Sequence, residues 1–136
     1  MSVDTHYETV TEGRQHFKEL LDAAEAGIPN TVRRDHLRAV VVDAERLRYF
    51  LAAMRPARAQ VVAEADGWSV LLPGLPIAAD GETFDEALDE MVPALREYAA
   101  DWVDHLRHAP NHRDNWGLVQ IIDLSTDPQL KEWLRG

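Results

Sequence analysis

The stretch Gln60–Val61–Val62–Ala63–Glu64–Ala65–Asp66–Gly67–Trp68–Ser69–Val70–Leu71–Leu72 decides the fold of the second half of this chain. Two runs rich in β-branched and aromatic residues flank Asp66–Gly67. An Asp-Gly pair between such runs is a specific hairpin signal, because a two-residue turn demands the positive φ that glycine adopts freely. Strands are expected over Gln60 to Glu64 and Trp68 to Leu72. Pro73–Gly74–Leu75–Pro76 turns the chain, and Ile77 to Ala79 adds a brief strand. Thr83 and Glu86 have the spacing of a capping box. Behind them Phe84, Leu88, Met91, Leu95, Tyr98, Trp102 and Leu106 recur in steps of three and four, one face of an amphipathic helix of about 25 residues. Pro93 lies inside and predicts a continuous but bent helix. Trp116 to Leu124, centred on Val119, Ile121 and Ile122, is expected as a strand. Asp127–Pro128 then reads as cap and first-turn proline of a short helix through Leu134.

The first half reads differently. Tyr7 to Val10 is a short strand, and Thr9 or Thr11 caps a helix with Glu12 in its first turn. Phe17, Leu20, Leu21 and Ala24 repeat at helical spacing until Gly27 and Pro29 stop the helix. A hairpin follows, from Thr31–Val32–Arg33–Arg34 through Asp35–His36 to Leu37–Val42. Asp43 caps another helix, with Leu47, Phe50, Leu51 and Met54 as its apolar stripe. Arg55–Pro56–Ala57–Arg58 is the expected linker, since proline ends the helix there. The order is β-α-β-β-α, linker, β-β-β-α-β-α: an α+β chain with modules over residues 1–55 and 59–136.

The chain has 136 residues, 46% of them apolar and 28% charged, which is a globular composition. Modules of this size bury modest cores and gain from association. The absence of cysteine excludes disulfides and thiolate metal sites. The polar N-terminal stretch, Met1 to Thr11, has no signal-peptide core, and no run approaches the roughly 20 apolar residues of a membrane span, so a cytoplasmic protein is expected. The net charge of −10 is unevenly spread. Residues 1–55 carry 8 Lys/Arg against 9 Asp/Glu, a net of −1; residues 56–136 carry 6 against 15, a net of −9. Such asymmetry suggests two jobs. An acidic half suits a basic partner, and equally serves solubility alone.

Enzymatic signatures are missing. There is no Gly-rich phosphate loop, no Gly-x-Ser-x-Gly and no His-Glu-x-x-His, so no catalytic residues and no cofactor are expected. Asp85, Glu86, Asp89 and Glu90 open a helix and favour its dipole while facing water. His105, His108 and His112 have ligand-like spacing, but Pro110 and Asn111 interrupt the face and no thiolate helps, so no metal site is expected. For His16 and His36 packing or hydrogen bonding is the plain reading. Arg14, Arg33 and Arg34 suit phosphate contacts and base reading, and a two-fold dimer would double them. Spacing alone favours ordinary surface charge paired with Glu12 or Asp35. Trp68, Trp102 and Trp116 read as core. Trp133, with Leu130 and Leu134, reads either as core or as a partner-binding anchor on the last helix.

Two resemblances sharpen this. Val10–Thr11–Glu12–Gly13–Arg14–Gln15–His16–Phe17, Leu20–Leu21–Asp22, Ala26–Gly27, Thr31–Val32–Arg33–Arg34 and Ala39–Val40–Val41–Val42 resemble the Phd/YefM antitoxin family over about Tyr7 to Phe50. The resemblance implies a dimerisation module that binds operator DNA, with contacts at Arg14 and Arg33, Arg34 as a looser match, and Thr11 beside them. Asp35–His36 stands where that family often has glycine. Gly67–Trp68–Ser69–Val70, Pro73–Gly74–Leu75–Pro76, Gly81–Glu82–Thr83 and Glu86–Ala87–Leu88 look like the HicB antitoxin domain over about Gln60 to Ala100. That likeness implies a partial RNase-H-type β-β-β-α-β fold without nuclease activity, which masks a small basic toxin. The usual DNA-binding C-terminus of HicB proteins is absent, and so is the disordered toxin-binding tail of Phd proteins. Each module supplies what the other lacks.

The expectation is a type II antitoxin that neutralises a small, basic partner toxin and represses its own operon through operator DNA, as a homodimer or higher even-numbered oligomer. Toxin contacts are expected at Trp133, Leu130, Leu134, Asp101 and Asp104, from charge and exposure. A stand-alone repressor whose second domain senses a ligand or oligomerises is the main rival. A metal-dependent hydrolase using Glu64 and Asp66 is the remaining one, and no convincing acidic set accompanies those two.

Overall fold

The computed structural model describes residues 6–136; the first five residues of the polar N-terminal stretch lie outside that range. The chain forms two compact units, Met1–Leu47 and Arg48–Gly136. The first holds β1 (His6–Tyr7), α1 (Val10–Gln15), α2 (Phe17–Ala26), β2 (Asn30–Arg34) and β3 (Leu37–Val41). Helix α3 (Ala44–Met54) begins in it and ends in the second unit. The second continues with β4 (Gln60–Glu64), β5 (Gly67–Leu71), β6 (Ala78–Gly81), α4 (Phe84–Asp104), α5 (Trp116–Leu124) and α6 (Asp127–Arg135).

In the first unit, β2 lies between β1, to which it is parallel, and β3, to which it is antiparallel. Thr9 is the cap of α1, its hydroxyl accepting from the Glu12 amide at 3.1 Å. The single helix expected here is two, because His16 leaves the helical region at φ −114°, ψ 27°. With Thr9 as cap, Arg14 falls in the last turn of α1. Gly27, at φ +80°, closes α2 in the left-handed conformation, and the Arg46 guanidinium donates to the Ala24 and Glu25 carbonyls at 3.0 and 2.9 Å. A cation at a helix C-terminus satisfies orphan carbonyls and the dipole together. The core is small: Tyr7, Leu20, Ala23 and Ala24 are its buried apolar residues. Gly13 is needed beneath α1, where a Cβ would press on the Val32 methyls. Asp35 takes the turn position with φ +53°, a conformation aspartate tolerates better than most residues.

The second unit has the antiparallel order β4-β5-β6, with α4 packed chiefly across β5 and β6. The two-residue loop is Ala65–Asp66, one position earlier than expected, and Gly67 pairs with Glu64. Thr83 caps α4 by accepting from the Glu86 amide, as the spacing predicts. Helix α4 runs through Pro93 without a break. Val70, Leu72 and Ile77 meet Leu88, Met91 and Leu95 of α4, and Leu118, Ile121, Ile122 and Leu130 close the core from α5 and α6.

The final strand of the expected β-β-β-α-β domain is a correction: Trp116–Leu124 is helical. Its buried residues are Leu118, Val119, Ile121 and Ile122, with Gln120 and Asp123 exposed. A strand would send Leu118 and Ile122 to the face of Gln120; a helix gathers all four apolar residues on one side. The β-branched content suggests a strand, but this packing needs the helical period. Arg96 of α4 then caps α5, donating to the Ile122 and Ser125 carbonyls and to Asp127. The cap of α6 is Thr126, one residue before the expected Asp127, in a full capping box with Gln129. The stripe expected on α3 is not a core stripe: Phe50 is mostly exposed, Met54 is 82% exposed, and Leu51 alone of the four packs on the core of the second unit.

Candidate functional site

The front unit divides its arginines between the two faces of its sheet. Consecutive strand residues alternate, and Val32 lies under α1 at Gly13. Arg34 therefore shares the helix side with Val32, while Arg33 lies on the open side with Thr31. Arg33 is directly opposite Arg38 of β3, which the sequence reading missed; the signal was the hairpin register itself. Arg33 is held by Glu8, Nε to Oε1 at 3.0 Å. Glu8 also receives His6 Nε2 at 2.8 Å, and His6 Nδ1 lies 2.6 Å from Thr31 Oγ1. The open side thus carries a hydrogen-bonded strip of His6, Thr31, Glu8 and Arg33, with Arg38 and the half-exposed Val40 beside it on β3. Arg14 and Thr11 are exposed on α1, the helix side of the sheet. Arg14, Arg33 and Arg34 do not form one cluster within a single copy.

The same unit exposes much apolar surface. Phe17 and Leu21, one turn apart on α2, are 56% and 49% exposed, and Leu37 and Val40 on β3 are about half exposed.

In the second unit carboxylates converge from three elements. Glu64 on β4, Asp80 on β6, Glu82 before α4, and Glu86 and Glu90 on α4 border two shallow clefts that share Asp80, Gly81 and Glu82; the larger is about 770 Å³. The Ser69 hydroxyl donates to Asp80 Oδ1 and lies 3.0 Å from Glu64 Oε1. One hydroxyl proton cannot serve both carboxylates, so an incoming ammonium or guanidinium gains a second acceptor here. Close packing keeps these groups together: a Cβ on Gly81 would collide with the Ala87 amide nitrogen, and one on Gly67 with the Gly81 carbonyl.

The expected toxin-facing residues separate by burial. Leu130 and Leu134 are 0% and 4% exposed and belong to the core, so they offer a partner no surface in this fold. Their i, i+4 spacing faces α4, and the same spacing in sequence cannot tell core from anchor. Trp133 is half-buried, and its indole N–H donates to the Arg55 carbonyl at 2.9 Å, tying the last helix to the end of α3. Asp101 and Asp104 are exposed on α4, away from the sheet carboxylates in sequence. His112 is engaged with the buried Tyr98 hydroxyl at 2.9 Å, and Asn115 donates to the same oxygen at 2.9 Å. His105 pairs with Asp104. Among the described residues no three His, Asp or Glu side chains gather as a metal site.

No family model matches the sequence, and no curated protein matches it. The fold has a solved counterpart. A crystal structure from Syntrophomonas wolfei subsp. wolfei, described as an antitoxin part of a proposed toxin/antitoxin system, superposes with a TM-score of 0.78 over 93% of this chain and 94% of that one, at 20% identity. The likeness runs through both units. Among the described residues no helix is long and apolar enough to cross a membrane.

Proposed function

We propose that this chain is an antitoxin whose two units have different partners. The observation that carries the reading is the shared fold over nearly the whole length of a protein described as an antitoxin. The front unit acts as a Phd/YefM-like module. It dimerises through exposed apolar residues on the helix side of its sheet, Phe17, Leu21 and Leu37, and presents Arg14 with Thr11, and Arg33 with Arg38, to operator DNA from two copies. Duplication supports this because the arginines of one copy are too few and too divided to follow a phosphate backbone. The second unit acts as the HicB-like module and masks a small basic toxin.

Neutralisation needs no chemistry, no metal and no cofactor. The carboxylates of Glu64, Asp80, Glu82, Glu86 and Glu90 attract and orient a basic partner, and bound side by side they occlude its working surface. Asp101, Asp104 and the half-buried Trp133 remain the contacts expected beyond that face. The residues that hold the core, Leu130 and Leu134, act only by keeping α6 in place.

A growth assay tests this. The open reading frame beside this gene is induced alone and then with this chain. Arrest alone and rescue on co-expression are expected. A harmless neighbour, or arrest that this chain does not relieve, defeats the reading and favours a stand-alone repressor.

A further inference from the structure

Strand β4 ends its sheet, and among the described residues nothing pairs with its outer side. Which of its backbone groups are free follows from the ladder. The Leu72 amide donates to the Ile77 carbonyl at 3.1 Å, so the even-numbered residues of β5 direct their polar groups toward β6. The odd-numbered ones bond β4, through the pairs Glu64–Gly67, Val62–Ser69 and Gln60–Leu71. Val61 and Ala63 therefore point their N–H and C=O groups outward, away from β5. Their side chains lie on the α4 side, opposite Val70 and Trp68, yet α4 covers β5 and β6 instead. Every residue of β4 is exposed, with Val61 at 43% and Val62 at 45%. The usual protections of an edge are missing: Gln60–Glu64 contains no lysine and no proline, and pairs with β5 without a bulge.

We infer that β4 is a self-association edge, which pairs antiparallel with β4 of a second copy about a two-fold axis at Val62. This register overlaps the whole strand. It sets Val61 against the partner's Ala63 in hydrogen-bonded pairs, so the outward groups of both strands are satisfied. Val62 meets the partner's Val62 on the open face. Gln60 meets the partner's Glu64, an amide donor against a carboxylate, and exposed Arg58 approaches the end of the strand that carries the partner's Glu64 and Asp66. Sliding by one pair in either direction sets Glu64 or Gln60 against valine and leaves outward groups uncovered. A second copy fits better than a basic strand from another protein, because β4 itself holds one carboxylate and no other charge. The result is one continuous sheet through two copies, at a surface separate from the apolar face of the front unit, and it does not depend on the antitoxin reading.

The chain has no cysteine, so a single introduced thiol reads the register. Opposed residues in a non-hydrogen-bonded pair have Cα atoms about 4.5 Å apart, within the roughly 4.4–6.8 Å that a disulfide spans. In the full-length chain, Val62→Cys is expected to form a covalent dimer under mild oxidation, and Gln60→Cys, four residues from its own copy, to lag far behind. Val61→Pro removes an outward donor that the monomer does not use, and is expected to halve the mass seen by light scattering. A Val62→Cys chain that stays reduced, or cross-links no faster than Gln60→Cys, overturns the inference. So does a Val61→Pro chain that is folded by circular dichroism and unchanged in mass. If Val61→Pro does not fold, the comparison of the two cysteine variants decides.

Discussion

The molecule contains two three-stranded sheets, each with helices over one face, and they differ in how completely they are covered. Sheet β4-β5-β6 lies under α4, which is backed by α5 and α6, and Val70, Leu88, Met91, Leu95, Ile121 and Leu130 are sealed between them. Sheet β1-β2-β3 lies under the short pair α1 and α2, buries Tyr7, Leu20, Ala23 and Ala24, and leaves Phe17, Leu21, Leu37 and Val40 half in water. Full burial of one large apolar side chain contributes about 1.5–3 kcal/mol. The back unit collects many such terms by itself. The front unit leaves several uncollected. One chain thus carries a well-covered core in one unit and a thin, partly uncovered one in the other.

Substitutions in the two cores separate the units. Ile121→Ala, in the fully covered core, is expected to lose about 2–5 kcal/mol, read by urea unfolding. Gly81→Ala forces β6 away from the first turn of α4 and is expected to lose about 1–3 kcal/mol in the same assay. An equal or smaller loss for Ile121→Ala than for Leu20→Ala in the thin front core would contradict the contrast. Thr126→Ala removes the cap of α6 and is expected to cost about 1 kcal/mol. The double change Phe17→Ser, Leu21→Ser sharpens the other side. On an uncovered surface each is worth within about 0.5 kcal/mol. In a dimerising unit the pair is expected to lower the mass and weaken the dependence of stability on protein concentration. A double variant with unchanged mass and unchanged concentration dependence would place no association at that face.

Much of this fold was legible because its punctuation is local. Thr83 with Glu86, Gly27 and the Asp35–His36 turn each fix a boundary through their own φ or hydrogen bond, Asp66–Gly67 marks its hairpin to within one residue, and α4 is long enough for its period to be plain. Helix α5 was not legible as a helix, since Val119, Ile121 and Ile122 are β-formers and nine residues barely display a period. The candidate surfaces were less legible still. Arg38 joins Arg33 only through the strand register, and the acidic face assembles from Glu64, Asp80 and Glu90, whose spacing in sequence gives no hint of convergence. Leu130 and Trp133 sit on one short amphipathic helix, and only its packing reveals which side is core.

If the two units do separate work, changes in one spare the function of the other. Growth rescue by two variants, with toxin and antitoxin expressed from independent promoters, tests it most directly. Arg14→Ala with Arg33→Ala is expected still to rescue, and Glu82→Lys with Glu90→Lys, folded, is expected not to. Rescue by the charge-reversed chain, or failure of the arginine variant, would contradict it.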